Sequence, residues 1–281
     1  MQRHFHKMHG LGNDFVIVDA RPTSGEGPFE VTPPLARAIA DRRTGIGCDQ
    51  LIVLDASDRA DLRMRIWNPD GGEVESCGNA TRCVVALTGA TTIETAGGVL
   101  SGGAIDGEVE VTLVEPRFGW ADIPLAEPFH DTTRIELQIG PIDNPVLHSP
   151  SVVNVGNPHA IFWVKDVTAY KLDRLGSLLE NHPIFPDRAN ISLAEVTSRT
   201  AILLRTWERG AGLTEACGSA ACAAAVCAVR KKFTGRKVTV TLPGGSLDID
   251  WRDDDHIHMT GPAEFEYAGR FDIATAMREG V

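Results

Sequence analysis

A chain of 281 residues has room for one large or two ordinary domains with a buried core, and 43% hydrophobic, 6% aromatic and 23% charged residues exclude the disordered and fibrous classes. A formal charge of −11, with no basic run longer than Arg230-Lys231-Lys232, argues against nucleic-acid binding and leaves small molecules or other protein chains as partners. The opening MQRHFHKMHG has no signal-peptide core, and no window approaches the roughly 18 apolar residues of a membrane span, so the expectation is a soluble, cytoplasmic protein with no membrane partner.

Residues 14–20 (DFVIVDA) read as a strand rich in branched apolar side chains, and residues 33–42 as a helix opened by proline. Residues 51–54 and 62–67 read as strands, the second alternating Leu62, Met64 and Ile66, and residues 78–87 as a short apolar helix. Strands near Ile93 and Val99 and over 108–114 are expected to be linked by turns at Gly102-Gly103 and Asp106-Gly107. The order then recurs: strands at 152–155 and 160–164, a helix over 172–180, a strand over 201–207, and an Ala-rich helix over 218–231. A hairpin of 238–242 and 247–251 is joined by Pro243-Gly244-Gly245. Turns rich in Pro and Gly over 116–128 mark a boundary, and a strand over 264–271 is expected to return to the first half. The prediction is an α+β fold of two pseudo-symmetric domains, residues 1–126 with 266–281 and residues 127–265, each mostly strand around one central apolar helix.

The duplication is visible in the residues themselves. WNPDGGEVESCGNA, residues 67–80, lies over WERGAGLTEACGSA, residues 207–220, without a gap. Trp67/Trp207, Gly72/Gly212, Glu75/Glu215, Cys77/Cys217, Gly78/Gly218 and Ala80/Ala220 coincide, where unrelated sequence would give about one match. The same offset pairs Gln50 with Asn190 and Asn68 with Glu208. A slightly longer offset pairs Gly12-Asn13-Asp14-Phe15 with Gly156-Asn157-Pro158-His159. Each of these polar residues alone reads as a turn former or a helix cap; recurrence at matching places makes them candidates for a site.

Six cysteines in a chain this long do not make a disulfide scaffold, and their spacing does not match zinc-ligand pairs, so reduced thiols and no metal are expected. Cys83, Cys222 and Cys227 fall in apolar helical runs and read as small buried hydrophobes. Cys77 and Cys217 are different, because each immediately precedes a helix opened by Gly78-Asn79 or Gly218-Ser219. Unpaired N–H groups and the helix dipole favour negative charge there, so a thiol is expected to ionise more readily than the reference near 8.5, and the same N–H groups can hold a carboxylate. Two such helix ends facing across a cleft would hold an α-carbon between two sulfurs. One sulfur, as thiolate, removes the α-proton while the other, as thiol, delivers a proton to the opposite face. His159 and Glu208 are the candidates for setting that asymmetry, with His159 expected to carry a proton near neutral pH.

HGLGNDF over 9–15, NPDGGEVESCGNATR over 68–82, GNPH over 156–159 and ERGAGLTEACGSAAC over 208–222 together resemble the diaminopimelate epimerase family, over essentially the whole chain. The resemblance implies barrel-like, mostly antiparallel sheets wrapped around the central helices and a homodimer. It further implies cofactor-independent interconversion of LL- and meso-diaminopimelate in lysine and peptidoglycan precursor synthesis. It implies Cys77 and Cys217 as the acid/base pair, assisted by His159 and Glu208. Asn13, Gln50, Asn68, Asn157, Asn190 and Arg209 would hold the substrate, with Gly78-Asn79 and Gly218-Ser219 on the reacting carboxylate. The chain departs from the family pattern at Ala80-Thr81, Ser219-Ala220 and Cys48, none of which removes a backbone donor or an acid/base thiol. Two rivals share parts of this pattern: a proline or hydroxyproline racemase, whose single-headed substrate gives Asn68, Asn190 and Arg209 no distal role, and a redox module in which Cys77 and Cys217 join as a disulfide.

Overall fold

The computed structural model describes residues 2–75 and 77–273, and two compact units are distinguished within it. The part of the expected first domain beyond residue 273 lies outside the described residues. The first unit takes the chain up to Thr112 and again from Gly261. Its elements are β1 (Gln2–Gly10), β2 (Asn13–Asp19), α1 (Pro33–Ala40), β3 (Gln50–Asp55), β4 (Leu62–Trp67), β5 (Glu73–Val74), α2 (Gly78–Thr88), β6 (Thr92–Thr95), β7 (Gly98–Ile105) and β8 (Glu108–Leu113). The second unit, Leu113–Thr260, opens with a small ladder of β9 (Gln138–Ile139) and β10 (Leu147–His148). It continues through β11 (Ser151–Asn154), β12 (Pro158–Trp163), α3 (Leu172–Glu180), β13 (Asn190–Ser198), β14 (Ala201–Glu208), β15 (Gly212–Thr214), α4 (Gly218–Arg230), β16 (Lys237–Leu242), β17 (Gly245–Trp251) and β18 (Ile257–Gly261). In the first unit β19 (Glu264–Asp272) then pairs with β1, Gln2 opposite Asp272 and His9 opposite Glu264.

From β1 to β8 the first unit is matched in order and register by β11 to β18 of the second. β2 and β3 run parallel with Phe15 opposite Gln50, as β12 and β13 do with His159 opposite Asn190. Antiparallel β3 and β4 set Leu51 opposite Trp67, and β13 and β14 set Ile191 opposite Trp207. Val74 faces Ile66 where Thr214 faces Thr206. β4–β6 and β14–β16 are again parallel, and the remaining pairings described are antiparallel. A parallel step needs a crossover, and each of the four helices supplies one. The result is the α+β, pseudo-symmetric, mostly antiparallel architecture that the sequence predicts.

Both faces of the early strands are buried, which is why β2 and β3 read as continuous apolar runs. Val16, Val18, Leu51 and Val53 pack with Leu35 and Ile39 of α1, and Phe162, Ile191 and Leu193 pack with Leu172 and Leu179 of α3. The sheet curls round the other helix of each unit, α2 meeting β1, β2 and β7, and α4 meeting β11, β12, β13, β14, β16 and β17. Inside the ring of the second unit the helix side chains are mostly small. Ala220, Ala221, Ala223 and Ala224 of α4 have no exposed surface, and Cys222 and Cys83 are likewise sealed.

The structure adds strands that the pattern concealed. β1 was hidden because its inward residues include Arg3 and Lys7, both buried: Arg3 donates to the Glu26, Gly27 and Pro28 carbonyls, and Lys7 pairs with Asp14 and the Gly47 carbonyl. β13, central in its sheet, interleaves buried Asn190 and Ser192 with its apolar residues, and β18 likewise buries His258. Gly102-Gly103 is a correction: these residues lie inside β7, and the turn that follows is at Asp106-Gly107. Gly102 is there for close packing, since a Cβ would stand 2.7 Å from Val85 Cγ2 of α2, whereas one on Gly103 would meet nothing within 4 Å. Gly102→Ala is therefore expected to cost about 1–3 kcal/mol in urea unfolding, and Gly103→Ala to stay within about 0.5 kcal/mol of the parent.

Candidate active site

A residue at a helix N-cap has extended backbone angles and a side chain that turns back over the first turn. Cys77 caps α2 in this way at φ −148°, ψ 112°, and Cys217 stands at the N-cap of α4 with a similarly extended backbone, φ −124°, ψ 106°, its sulfur beside the Ser219 hydroxyl. Neither helix carries an acidic residue in its first turn, so the amide dipoles there are left to the sulfur and to any anion that arrives. The cysteines thus occupy equivalent backbone positions in the two units.

In the first unit, the Ala80 N–H donates to Cys77 Sγ at 3.5 Å, and the sulfur lies 3.9 Å from Asn13 Oδ1. Asn79 Nδ2 donates to the same Asn13 oxygen at 3.2 Å. Asn13 is delivered by a tight hairpin: Gly10 pairs with Asn13 across Leu11 and Gly12, both at positive φ (58° and 81°). A second pair sits on neighbouring strands, where Gln50 Nε2 donates to Asn68 Oδ1 at 2.9 Å. Gln50 Oε1 is buried without a partner, an acceptor suited to an ammonium group.

The second unit groups its candidates closely as well. Asn157 Oδ1 lies 2.8 Å from His159 Nε2, so Nε2 carries the hydrogen and donates. Asn190 Oδ1 accepts from the Arg209 N–H at 2.9 Å, and its Nδ2 donates to the Pro158 carbonyl at 3.0 Å. Arg209 Nη1 donates to the Asp187 carbonyl at 3.1 Å. Glu208 Oε1 accepts from Thr214 Oγ1 at 2.5 Å, and Cys217 Sγ is 3.5 Å from Ser219 Oγ. Gly218 is buried beside it at the start of α4.

Two expectations about charge are corrected here. His159 is fully buried, and its pKa falls to about 3, first through loss of solvent and then through the neighbouring Arg209 cation. It is a neutral imidazole at physiological pH and not the proton carrier expected from its reference value. Cys217 does not ionise readily: burial, and then the Glu208 carboxylate, drive its pKa well above the ordinary thiol value, with only the Ser219 hydroxyl among the side chains acting the other way. The helix-end amides are outweighed by desolvation. Cys77, by contrast, is half-buried.

Several neighbours carry a weight that sequence pattern alone did not single out. Thr214 holds Glu208, yet its counterpart in the repeat is Val74, so recurrence screened it out. Glu180, buried at the end of α3, accepts from Trp207 Nε1 at 2.7 Å and from the Gly210 N–H at 2.9 Å, clamping both sides of Glu208-Arg209. Among the described residues no group of three or more His, Cys, Asp or Glu side chains is placed to hold a metal. No helix among them is long and apolar enough to cross a membrane.

Duplicated units with an N-cap cysteine at the same place in each define the class: an isomerase, an amino-acid epimerase. The fold is shared with a hydroxyproline epimerase from Agrobacterium vitis, 14% identical, with a TM-score of 0.67 over 98% of this chain and 94% of that one. It is shared too with a phenazine biosynthesis protein of the PhzF family from Bacillus anthracis, 17% identical, with a TM-score of 0.61 over 97% and 99%. The diaminopimelate epimerase family model matches residues 5–114 and 151–266. The diaminopimelate epimerases of Rhodopseudomonas palustris (strain TIE-1) and Brucella anthropi are each 56% identical, covering 97% and 96% of this chain and 94% and 92% of theirs. The chain belongs to the diaminopimelate epimerase family.

The buried imidazole carries a pH signature. Its folded pKa lies below the ordinary 6.5, so the unfolded chain takes up the proton first as pH falls. The group's contribution to stability is whole above 6.5 and is lost as the pH drops toward 3. His159→Gln is expected to flatten the fall in unfolding free energy over that window by up to about one proton's worth of slope; an unchanged slope would contradict a neutral, buried His159.

Proposed function

We propose that the chain interconverts LL- and meso-2,6-diaminopimelate without a cofactor, Cys77 and Cys217 exchanging protons at opposite faces of one α-carbon. The observation that carries this reading is the pair of N-cap cysteines in equivalent backbone positions but unequal surroundings. In the direction that uses the resting asymmetry, Cys77 as thiolate takes the α-proton. The C–H electron pair moves into the carboxylate, whose developing charge is met by N–H groups at the helix starts, Gly78-Asn79 and Gly218-Ser219. The neutral thiol of Cys217 gives its proton to the opposite face, leaving a thiolate beside Glu208. That unfavourable pairing favours return of a proton to Cys217 as Cys77 gives up to solvent the proton it took, so that Cys77 is again the thiolate and Cys217 the thiol.

The remaining candidates suit a substrate with an amino and a carboxylate group at each end. Gln50 Oε1 accepts from an ammonium, and Arg209, with Asn68, Asn157 and Asn190, supplies the polar contacts of the distal end. His159, neutral with hydrogen on Nε2, offers its unpartnered Nδ1 as an acceptor and orients the site without carrying charge. A homodimer and a cytoplasmic location complete the reading; sedimentation giving monomer alone at working concentration would remove the first.

Proton NMR of the reduced protein with LL-diaminopimelate in heavy water is expected to show loss of the α-proton signal together with appearance of the meso isomer, with no cofactor added. Cys77→Ala and Cys217→Ala should each lower that exchange at least about 100-fold while the fold persists, and appreciable turnover in either would rule out the paired-thiol mechanism. Limiting iodoacetamide at neutral pH should label the half-buried Cys77 before Cys217; peptide mass spectrometry showing the reverse order would invert the resting assignment.

A further inference from the structure

We propose that Arg82 is a positioning residue for the epimerisation: with Asp49 at the far end, it fixes the direction in which the Asn79 and Asn13 amides point and so turns the Asn13 carbonyl oxygen to the Cys77 sulfur. The inference rests on the reading of Cys77 as an acid/base. Arg82, on α2, is fully buried, a costly place for a cation unless its donors are used. Its Nη2 donates to Asn79 Oδ1 at 2.9 Å, and its Nε donates to the Pro262 carbonyl at 3.3 Å. Asn79 Nδ2 donates to Asn13 Oδ1 at 3.2 Å, and Asn13 Nδ2 donates to Asp49 Oδ2 at 3.0 Å. That carboxylate is held in turn by the Asp14 N–H at 3.0 Å and by Arg42 Nη2 on its other oxygen at 2.7 Å.

An isolated amide can turn over and exchange donor for acceptor. These two cannot. A guanidinium has only donors, so Asn79 must show it oxygen; a carboxylate has only acceptors, so Asn13 must show it NH2. The direction is therefore set from both ends, and reversing either amide would bring oxygen against oxygen or NH2 against NH2. The oxygen that Asn13 presents to Cys77 at 3.9 Å accepts from S–H and disfavours a thiolate, whereas the Ala80 N–H at 3.5 Å favours the thiolate. A sulfur that alternates between the two forms in each turnover thereby has one partner for each.

The test is α-proton exchange with LL-diaminopimelate in heavy water by Arg82→Met, Asp49→Ala and the double variant, with folding checked by circular dichroism. Each single variant is expected to lose about tenfold or more in kcat, and the double no more than the worse single, because one relay is cut twice. Arg82→Lys, which keeps a donor, should recover part of the loss. In Arg82→Met the pH of half-maximal iodoacetamide alkylation at Cys77 should fall, since an amide N–H can then turn to the sulfur. Losses that multiply in the double variant, or wild-type kcat in a folded single variant, overturn the proposal. If Arg82→Met does not fold, Asp49→Ala, at a half-exposed position, tests the same amides from the other end, and an unmoved alkylation profile there overturns it equally. Failure of the underlying reading is distinguishable, because Cys77→Ala would then still turn over.

Discussion

A cysteine at a helix N-cap is the constraint on which the candidate site residues of each unit depend. The N-cap is the one helical position whose side chain leans back over unpaired amides while its backbone is still extended, so a sulfur placed there is aimed by the chain itself. The rest of each unit supports that placement. A helix starts where it does because a short strand, β5 or β15, ends just before it, and it stays put because the sheet closes around it. Small side chains along α4 are the corollary, since a thicker helix would push the ring of strands outward and carry the cysteine with it.

Repetition of the backbone makes two equivalent positions; departure from repetition gives them different surroundings. Here one sulfur is half-buried between an amide N–H and an amide oxygen, and the other is sealed beside a carboxylate. The divergence lies in side chains at corresponding places, Asn68 against Glu208 and Val74 against Thr214, while the registers that hold them are unchanged. Glu208 supplies the difference in charge, and Thr214 holds it in place.

What was legible in the sequence was whatever repeats or alternates. The four helices and the parallel-strand cores announce themselves through apolar periodicity, and the paired motifs locate both cysteines before any coordinate is known. What was not legible had its pattern broken by charge. β1 hides Arg3 and Lys7 among inward positions, and β13 hides Asn190 and Ser192, so neither looks like a core strand until the partners of those polar groups are seen. The same limit applies to the site. Reference values place His159 and Cys217 as titrating near neutrality, but burial, which no local spacing encodes, moves both away from it. Glu180 was passed over because its contact is distant in sequence, to Trp207, and Arg82 because an arginine in a short apolar helix reads as a surface cation until its burial is seen.

The pairing of β1 with β19 bears on how the molecule is made. Gln2 meets Asp272 only after nearly the whole chain has been synthesised, and the entire second unit is inserted between the two strands. The second unit is contiguous and can condense as soon as it leaves the ribosome, whereas the first, although begun earlier, must wait with one edge of β1 open. An open edge is a template for another chain, so the interval before β19 arrives is the period of greatest exposure to intermolecular pairing. Arg3 and Lys7, which blur the strand in the sequence, place charges along that edge during the wait, and the order of translation gives those residues a protective value that the finished fold no longer displays.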